Sequence, residues 1–398
     1  MRRALLISPV FPDENGSGRA KRAHQWLHQL SGQYEVSLLV VQAGGEAGVQ
    51  DRLLRMKGTA DTRILGRSIS RGRKLGELAA SLGMLLAGKV RGSEALGWYP
   101  LRMAHVDPLT RWYEGQRFER VVCFRLYLQE YALLVGKLTK AGRLELDMDD
   151  VESTTRFKLA GLLYRRGHYK EALVSWLSAV QFRLQEQRID SRFERLHVCS
   201  EEDRSLFSAR HPALATVVMP NRIPASSMPE RLPLPSDVRQ MLFVGTLSYY
   251  PNEEAVVWFI RHVLPRLRRQ DRRWTLHVAG MDGSESLRRK LERTAGVRYH
   301  GQVAAMAPLY GQAYQVISPL HAGGGTKLKV MEAMQYGRPI IATRESVHGL
   351  GLTPEVHYLE AETAEQFLDA CGRLAEHPEL ASQLAASAYR IVRERYSY

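Results

Sequence analysis

The chain has 398 residues, 44% of them hydrophobic and 25% charged, a balance that excludes a disordered protein and, at roughly 150 residues per domain, predicts two or three globular domains. Its formal net charge of +14 predicts attraction to an anionic partner such as a phosphorylated substrate, anionic lipid or nucleic acid. Because neither a zinc-finger nor an aromatic ribonucleoprotein motif accompanies this charge, we expect no nucleic-acid partner.

Cysteine spacing and hydropathy predict the compartment. The three cysteines, Cys123, Cys199 and Cys371, have no paired spacing, which argues against a disulfide framework and a cysteine zinc site. The first apolar run stops at Pro9, so we interpret it as a buried strand and not as a signal peptide. No stretch approaches the roughly 18 apolar residues of a membrane helix. We therefore expect a cytoplasmic protein, with a peripheral position on the inner face of the membrane as a further expectation.

The first half of the chain has the pattern of a parallel α/β domain. The apolar run ALLISPVFP precedes the turn DENGSG, and apolar residues then recur at helical spacing from Ala20 to Leu30. Further strands are predicted at 34–41, 120–124, 144–148 and 196–199. Such alternation predicts a parallel sheet with helices on both faces.

Two segments of this half mix basic with apolar residues. Between 63 and 91, Arg71, Arg73 and Lys74 precede apolar residues at helical spacing, which is typical of a helix lying on anionic lipid; the alternative is a surface helix packed on its own domain. YRRGHYK, at 164–170, precedes a helix that contains Trp176. For that helix we expect core packing with a charged rim, and an acceptor-phosphate site is the alternative.

A proline-rich linker divides the chain. Five prolines lie in VVMPNRIPASSMPERLPLPSDV, and we place the domain boundary there. The predicted domains are 1–222 and 223–378, followed by a terminal helix at 379–398. Strands and helices alternate again after the linker. The predicted strands are 240–247, 274–281, 297–301, 315–320 and 338–343, and the predicted helices are 253–269, 284–295, 306–313 and 327–334.

The segment with the most candidate ligand-binding groups is 318–343, SPLHAGGGTKLKVMEAMQYGRPIIAT. Three glycines follow a strand and precede a helix that begins near Thr326, so backbone amides are bared at a helix N-terminus. Those amides, the helix dipole and the cations Lys327 and Lys329 together favour a diphosphate. Glu332 falls on the ligand-facing side, where it can accept hydrogen bonds from ribose. The alternative is a turn whose glycines only permit tight packing, with Glu332 solvated.

The string GGGTKLKVMEAMQYGRPIIAT, with HGL at 348–350, closely resembles the donor-site signature of glycosyltransferase family 4. FVGTLSYYPNEEAVVWFIRHVLPRLR, at 243–268, resembles a branch associated with exopolysaccharide sugar transferases, and DMDDVES and VCSEED extend the resemblance into the first half. The resemblance implies an α/β fold of the GT-B type, two facing Rossmann-like domains with a cleft between them. It also implies that the helix at 379–398 crosses back to the N-terminal domain.

The resemblance implies a retaining, metal-independent glycosyltransferase. The donor is a nucleotide diphosphate-sugar of the UDP or GDP type, bound mainly by the C-terminal domain, and the acceptor is a hydroxyl bound mainly by the N-terminal one. We expect a lipid-linked or polysaccharide (cell-envelope) glycan precursor as acceptor and an anionic membrane surface as a further partner. No cofactor and no metal ion are expected.

The same resemblance assigns site residues. Gly325, Thr326 and Lys327 contact the phosphates, and Glu332 binds the ribose. The remaining donor-binding residues are Gly16, Gly18, Gly245, Gly324 and Lys329. For the turn with Gly16 and Gly18, a helix cap at Asn15 or Ser17 is the alternative.

The sequence departs from the family pattern at two places. Gly324 stands where many members carry a glutamate facing the transferred sugar. Residues 249–252, YYPN, replace a usual Arg and Lys pair, so we expect Lys329 or Arg222 to supply the charge.

Aspartates end the predicted strand 144–148, at the sheet edge where ligands gather in open α/β folds. We predict Asp150, and next Asp149, as catalytic residues that stabilise positive charge on the sugar or orient the acceptor hydroxyl. The alternative is that either one caps the following helix.

Two other functions remain open at this point. A nucleotide-sugar 2-epimerase shares the GT-B fold and needs acid-base carboxylates but no second substrate. The other is a non-catalytic protein that has both domains and binds a nucleotide but catalyses no reaction. Gly324 in place of a glutamate favours this alternative.

Overall fold

The computed structural model describes residues 2–14, 16–43, 59–67, 101, 103–189, 191–225 and 229–398. The chain divides into two compact units, Met1–Pro220 and Asn221–Tyr398, and the division lies within the proline-rich linker. The terminal helix is grouped with the second unit, so its crossing to the first stays a prediction.

Within the described residues, the first unit is built on a seven-stranded sheet of order β3-β2-β1-β4-β5-β6-β7, in which every pair of neighbours is parallel. Its strands are β1 (Arg3–Ser8), β2 (Glu35–Ala43), β3 (Asp61–Arg67), β4 (Arg120–Phe124), β5 (Arg143–Asp149), β6 (Arg195–Val198) and β7 (Ala215–Val218). Its described helices are α1 (Gly18–Ser31), α2 (Met103–Tyr113), α3 (Gln129–Thr139), α4 (Glu152–Arg165), α5 (Tyr169–Glu186) and α6 (Glu201–Arg210).

The second unit has a six-stranded parallel sheet of order β10-β9-β8-β11-β12-β13 within the part of the chain that the structure describes. The strands are β8 (Gln240–Val244), β9 (Thr275–Ala279), β10 (Val297–Gly301), β11 (Gln315–Ser318), β12 (Ile340–Ala342) and β13 (Leu359–Glu360). The described helices are α7 (Tyr250–His262), α8 (Leu264–Gln270), α9 (Glu285–Arg293), α10 (Ala307–Gln312), α11 (Leu328–Gln335), α12 (Arg344–Val347), α13 (Ala364–Glu376) and α14 (Pro378–Arg395).

Apolar strands account for both sheets. In β1, residues 4–7 are completely buried, and the same is true of residues 241–243 in β8. Strands with helices on both faces need apolar side chains on both faces, which is why they appear in the sequence as continuous apolar runs. The predicted parallel α/β architecture of each half is therefore confirmed.

Two predicted elements differ in the structure. The helix predicted at 253–269 is two helices that meet at Val263, because Pro265 lacks an N–H and its ring would clash with a carbonyl one turn back. Arg63 and Arg67 lie on β3, which pairs with β2, so the start of the segment 63–91 is a strand and not part of an amphipathic helix.

Strand order fixes where loops converge. In the first sheet the order reverses between β1 and β4, and in the second between β8 and β11. Ligands of open α/β sheets bind outside the carboxyl ends of the strands at such reversals. The loops that follow these four strands carry Gly16, Arg125, Gly245 and the triple glycine, and Gly18 begins the helix after the first loop.

Candidate functional site

A glycine turn precedes α11 in the second unit. Gly325 has a φ of 58°, in the left-handed region that glycine adopts without strain. A Cβ at Gly323 would lie 3.0 Å from Cε of Lys327, so the bare backbone leaves room for that side chain. The helix begins at Leu328, two residues after the predicted start at Thr326. The turn therefore leads directly into a helix N-terminus, as predicted.

Lys327 and Thr326 are both buried and held by neighbours. The ammonium of Lys327 donates to the carbonyl of Gly325 at 2.8 Å and lies 3.4 Å from the carboxylate of Glu345. The hydroxyl of Thr326 accepts from the side-chain amide of Asn221 at 2.6 Å. These contacts fix two of the predicted phosphate-binding side chains at the start of α11.

Lys329 lies on the first turn of α11. Its ammonium donates to the side-chain oxygen of Asn252 and lies 4.8 Å from the centroid of the Phe243 ring. Burial, helped by the neighbouring charge of Lys327, lowers the pKa of Lys329 to about 7. The lysine is thus poised between its charged and neutral forms near physiological pH.

Gly245 is connected to Lys329 through Asn252. A Cβ at Gly245 would lie 2.9 Å from the amide carbon of Asn252. The Asn252 amide also donates to the carbonyl of Thr246 at 2.9 Å. A glycine at 245 therefore makes room for the side chain that holds Lys329.

Glu332 is partly buried on α11, one turn after Lys329. It lies close to a stacked pair of rings, Tyr310 and Tyr336, whose centroids are 4.4 Å apart. Burial, and next the charge of Glu332, raise the pKa of Tyr310 well above its ordinary value. The structure thus places Lys327, Lys329 and Glu332 along one short helix.

The first unit brings an arginine into the acidic segment. Arg125 follows β4 and Asp149 ends β5, and both have positive φ angles, 87° and 58°. Such backbone is costly for residues other than glycine and clusters at functional sites. The Arg125 guanidinium donates to Asp150 and lies 3.5 Å from both Asp149 and Glu152.

The three aspartates have different environments. Asp147 is fully buried, accepts from Arg22 at 2.8 Å and also accepts from the Trp26 indole, so it attaches α1 to β5. Burial works to raise the pKa of Asp150, but the Arg125 guanidinium outweighs it and the pKa is lowered. For Asp149, burial dominates and the pKa rises to about 6.

The helix-cap alternatives have opposite outcomes. Val151 occupies the N-cap position of α4, and the free amide of Ser153 on the first turn donates to the carboxylate of Glu186 at 2.9 Å and not to an aspartate. The cap interpretation of Asp149 and Asp150 is therefore wrong. Ser17 does cap α1 by accepting from the amide of Ala20 at 3.4 Å, and a Cβ at Gly16 would lie 2.8 Å from Cβ of Ala20.

Some predicted residues lie elsewhere or cannot be placed. Arg71, Arg73, Lys74 and Asn15 lie outside the described residues. The expected core packing of Trp176 is wrong, because its side chain is 49% exposed.

The structure also bears on the expectations about cysteines, membrane spans and metal sites. The three cysteines are free, as expected, and the structure also buries them. No helix among the described residues is long and apolar enough to span a membrane. The described part of the chain has no group of three or more His, Cys, Asp or Glu side chains placed to hold a metal ion, and metal independence stays a prediction.

Sequence reasoning missed four residues of these sites: Asn221, Arg125, Asn252 and Glu345. Asn252 stands in the YYPN stretch, where only the loss of a cationic pair was noted. Arg125 follows a strand, as Asp149 does, and that shared position was the available signal.

Solved structures with the same architecture identify the fold. HepE from Anabaena, in complex with UDP and glucose, is 13% identical with a TM-score of 0.63, covering 100% of this chain and 96% of that one. A TarM mutant from S. aureus, in complex with Fondaparinux, alpha-GlcNAc-glycerol and UDP, is 10% identical with a TM-score of 0.66, covering 100% and 97%. The lipopolysaccharide outer core galactosyltransferase WaaB is 14% identical with a TM-score of 0.57, covering 100% and 96%. The chain has the GT-B fold of glycosyltransferases, and the predicted fold class is confirmed.

A family model matches part of the second unit. Residues 238–377 match the family model described as Glycosyl transferases group 1. The matched region lies within the second unit, and it includes the glycine turn and α11. No curated protein sequence matches the chain significantly.

Proposed function

We propose that this protein is a retaining glycosyltransferase that moves a sugar from a nucleotide diphosphate-sugar to the hydroxyl of an acceptor. The observation that carries the proposal is the arrangement at α11. A left-handed glycine turn opens onto the helix N-terminus, two lysines lie beside it, and a carboxylate follows one turn later. This arrangement lies inside the region that matches the group 1 glycosyltransferase family model.

In this proposal the turn binds the diphosphate. Backbone amides of residues 324–327 and the positive end of the helix dipole favour two phosphate groups. Lys327 and Lys329 neutralise the charge that grows on the diphosphate as it leaves, a task that needs no metal ion when cations and amides are already in place. Glu332 accepts hydrogen bonds from the ribose hydroxyls.

The chemical step proposed here retains the anomeric configuration. The acceptor oxygen forms a bond to the anomeric carbon on the face from which the diphosphate leaves, as the bond between that carbon and the diphosphate oxygen breaks. The acceptor proton passes to the departing phosphate. A nearby carboxylate would stabilise the positive charge that develops on the sugar ring.

We propose Asp149 and Asp150 as the acidic groups for this step. Both oxygens of Asp150 are occupied, one by Arg125 and the other by the Thr155 hydroxyl at 3.2 Å. Asp149 is held less closely, at 3.5 Å from Arg125. We therefore assign direct contact with the sugar or the acceptor hydroxyl to Asp149, with Asp150 and Arg125 as its positioning residues.

The proposed nucleotide is UDP, with GDP as the second candidate. HepE and TarM, which share the fold, were both solved in complex with UDP. WaaB acts on the lipopolysaccharide outer core, and this supports a lipid-linked or cell-envelope glycan acceptor in polysaccharide biosynthesis. An acceptor of this kind also suits a protein that works peripherally at the inner face of the membrane.

Two assays, first of nucleotide binding and then of turnover, test the proposal. The melting temperature of the full chain is measured with UDP, GDP and CMP, since a ligand that binds the folded state raises it. The stabilising nucleotide then selects the nucleotide-sugars for a turnover assay. Release of the nucleoside diphosphate with transfer or hydrolysis of the sugar supports the proposal. An epimerised sugar identifies a 2-epimerase, binding without turnover identifies a non-catalytic protein, and no stabilisation by any nucleotide overturns the donor site.

A further inference from the structure

The hairpin formed by α4 and α5 exposes an unusual amount of apolar surface. Ten large hydrophobic side chains are exposed among the described residues, and six of them lie between 157 and 176. The six are Phe157, Tyr164, Tyr169, Leu173, Val174 and Trp176. Scattered single apolar residues are normal on a protein surface, but a contiguous group indicates an interaction site.

Apart from Val174, these side chains share one face of each helix. Tyr169, Leu173 and Trp176 follow one another at helical spacings of four and three residues, and Phe157 and Tyr164 are seven residues apart on α4. At the tip of the hairpin the rings of Tyr164 and Tyr169, 65% and 63% exposed, meet edge to face at 5.3 Å. The two helices thus present a continuous aromatic and aliphatic surface.

Cations border this surface. Between residues 156 and 176 the sequence has five lysines and arginines and one acidic residue, Glu171. Arg165, Arg166 and Lys170 are exposed at the tip, next to the tyrosines. Tyr and Trp prefer the boundary between water and hydrocarbon, and cations beside them meet lipid phosphates.

We propose that this surface docks the protein on a membrane that contains anionic phospholipid. Two copies of the hairpin facing each other would bring like charges together, so charge complementarity favours an anionic bilayer over a second copy. The aromatic side chains enter the headgroup region while the cations remain at the phosphates. The purpose of this docking rests on the proposed function, since a lipid-linked acceptor would be met there, but the docking itself is measured without turnover.

Vesicle sedimentation tests the docking surface. The full chain is mixed with vesicles of phosphatidylcholine alone or with about 30% phosphatidylglycerol, a composition that makes the surface anionic. We expect stronger binding to the anionic vesicles, and weaker binding at high salt. The triple variant Tyr169→Ser, Leu173→Ser and Trp176→Ser is expected to lower the partition coefficient about tenfold or more.

Matched controls separate this surface from general charge or hydrophobicity. Met103→Ser with Val356→Ser removes exposed apolar side chains elsewhere and is expected to leave vesicle binding unchanged. Arg165→Glu with Lys170→Glu is expected to weaken binding at least tenfold, whereas the reversal of two exposed arginines of the second unit, Arg269→Glu with Arg272→Glu, is expected to weaken it less than threefold.

A cooperative thermal unfolding transition shows that each variant is folded, and the shift of that transition by UDP reports separately on the proposed donor site. Vesicle binding equal to that of the parent in the triple variant overturns the docking surface. A parent that sediments as a dimer, ignores vesicles and becomes monomeric in the triple variant also overturns it, and assigns the surface to self-association. Failure of UDP to bind any variant or the parent overturns the donor site and leaves the docking surface standing.

Discussion

The ammonium of Lys329 donates to the side-chain oxygen of Asn252, and burial together with Lys327 lowers its pKa to about 7. A diphosphate bound at the adjacent turn would favour the charged lysine, because opposite charges stabilise each other in a partly buried site. Donor binding and protonation of Lys329 are then linked in the proposed site. This linkage allows an equilibrium test that does not depend on turnover.

We predict that UDP binding at pH 8 takes up a proton. In the free protein Lys329, with a pKa of about 7, is mostly neutral at that pH, and in the complex it is charged. The enthalpy of UDP binding, measured by calorimetry in two buffers with different ionisation enthalpies, should differ accordingly. Lys329→Met should abolish this difference and weaken binding about tenfold or more, the loss of one charge-assisted contact. Lys137→Met, at an exposed lysine of the first unit, is the control, and equal enthalpies in both buffers for the parent would contradict the linkage.

A second prediction concerns Gly245. The Cβ of Gly245→Ala would lie 2.9 Å from the amide of Asn252, so that side chain must move and Lys329 loses its partner. We expect weaker UDP binding and a free energy of unfolding lowered by about 1–3 kcal/mol, the usual cost of overpacking. Gly372→Ala is the control, since its Cβ meets nothing within 4 Å on a helix of the same unit. Chemical denaturation and UDP titration measure both effects, and an unchanged UDP affinity in Gly245→Ala would separate Asn252 from the donor site.

Local patterns predicted much of the fold. The strands β1, β4 and β8 are continuous apolar runs, and such runs in alternation with amphipathic helices indicate a parallel sheet without further information. The glycine turn before α11 was also visible, because three consecutive glycines leave the backbone bare. Both features depend only on residues that are adjacent in the chain, and this is why they could be predicted from the sequence.

Contacts between residues that are far apart in the chain could not be predicted from the sequence. Asp147 and Asp150 lie three residues apart, yet Arg22 binds one and Arg125 binds the other. Arg125 reaches Asp150 because β4 pairs with β5 in the sheet, and pairing of this kind is set by the whole fold. Trp176 shows the opposite error: its helical pattern predicts a core position, but the structure leaves this side chain exposed.

A third prediction separates nucleotide binding from turnover. Glu332→Ala should weaken UDP binding, because a carboxylate that accepts from ribose hydroxyls is lost, at about 1.5–3 kcal/mol for a charged hydrogen bond. Asp149→Asn and Asp150→Asn should leave UDP affinity within about twofold of the parent and lower kcat, by about 100-fold or more for Asp149. Nucleotide titration and steady-state kinetics with the nucleotide-sugar measure the two effects. Equal UDP affinity in Glu332→Ala and the parent would refute the ribose assignment, and an unaltered kcat in Asp149→Asn would remove Asp149 from the chemical step.

The pH dependence of stability provides a further test of Asp149. Its pKa is raised from an ordinary value of 3.8 to about 6, first by burial and then, against the attraction of Arg125, by the neighbouring carboxylates. Between these two pH values the folded protein binds more protons at this site than the unfolded chain does. The free energy of unfolding contributed by Asp149 therefore falls as pH rises from about 4 to about 6, and it changes little above that window.

Asp149→Asn removes this titration while it keeps the size of the side chain. We expect the variant to gain stability relative to the parent as pH rises from 4 to 6, and to hold that gain at pH 7, because the parent must keep a buried charge there. Chemical denaturation of both proteins at half-unit pH intervals measures the difference. Asp107→Asn, at an exposed position of the same unit, controls for the loss of one negative charge. A variant that is less stable than the parent at pH 7, with a deficit that stays constant down to about pH 4 and shrinks only below it, would mean that Arg125 outweighs burial and that Asp149 is a structural ion pair like Asp150.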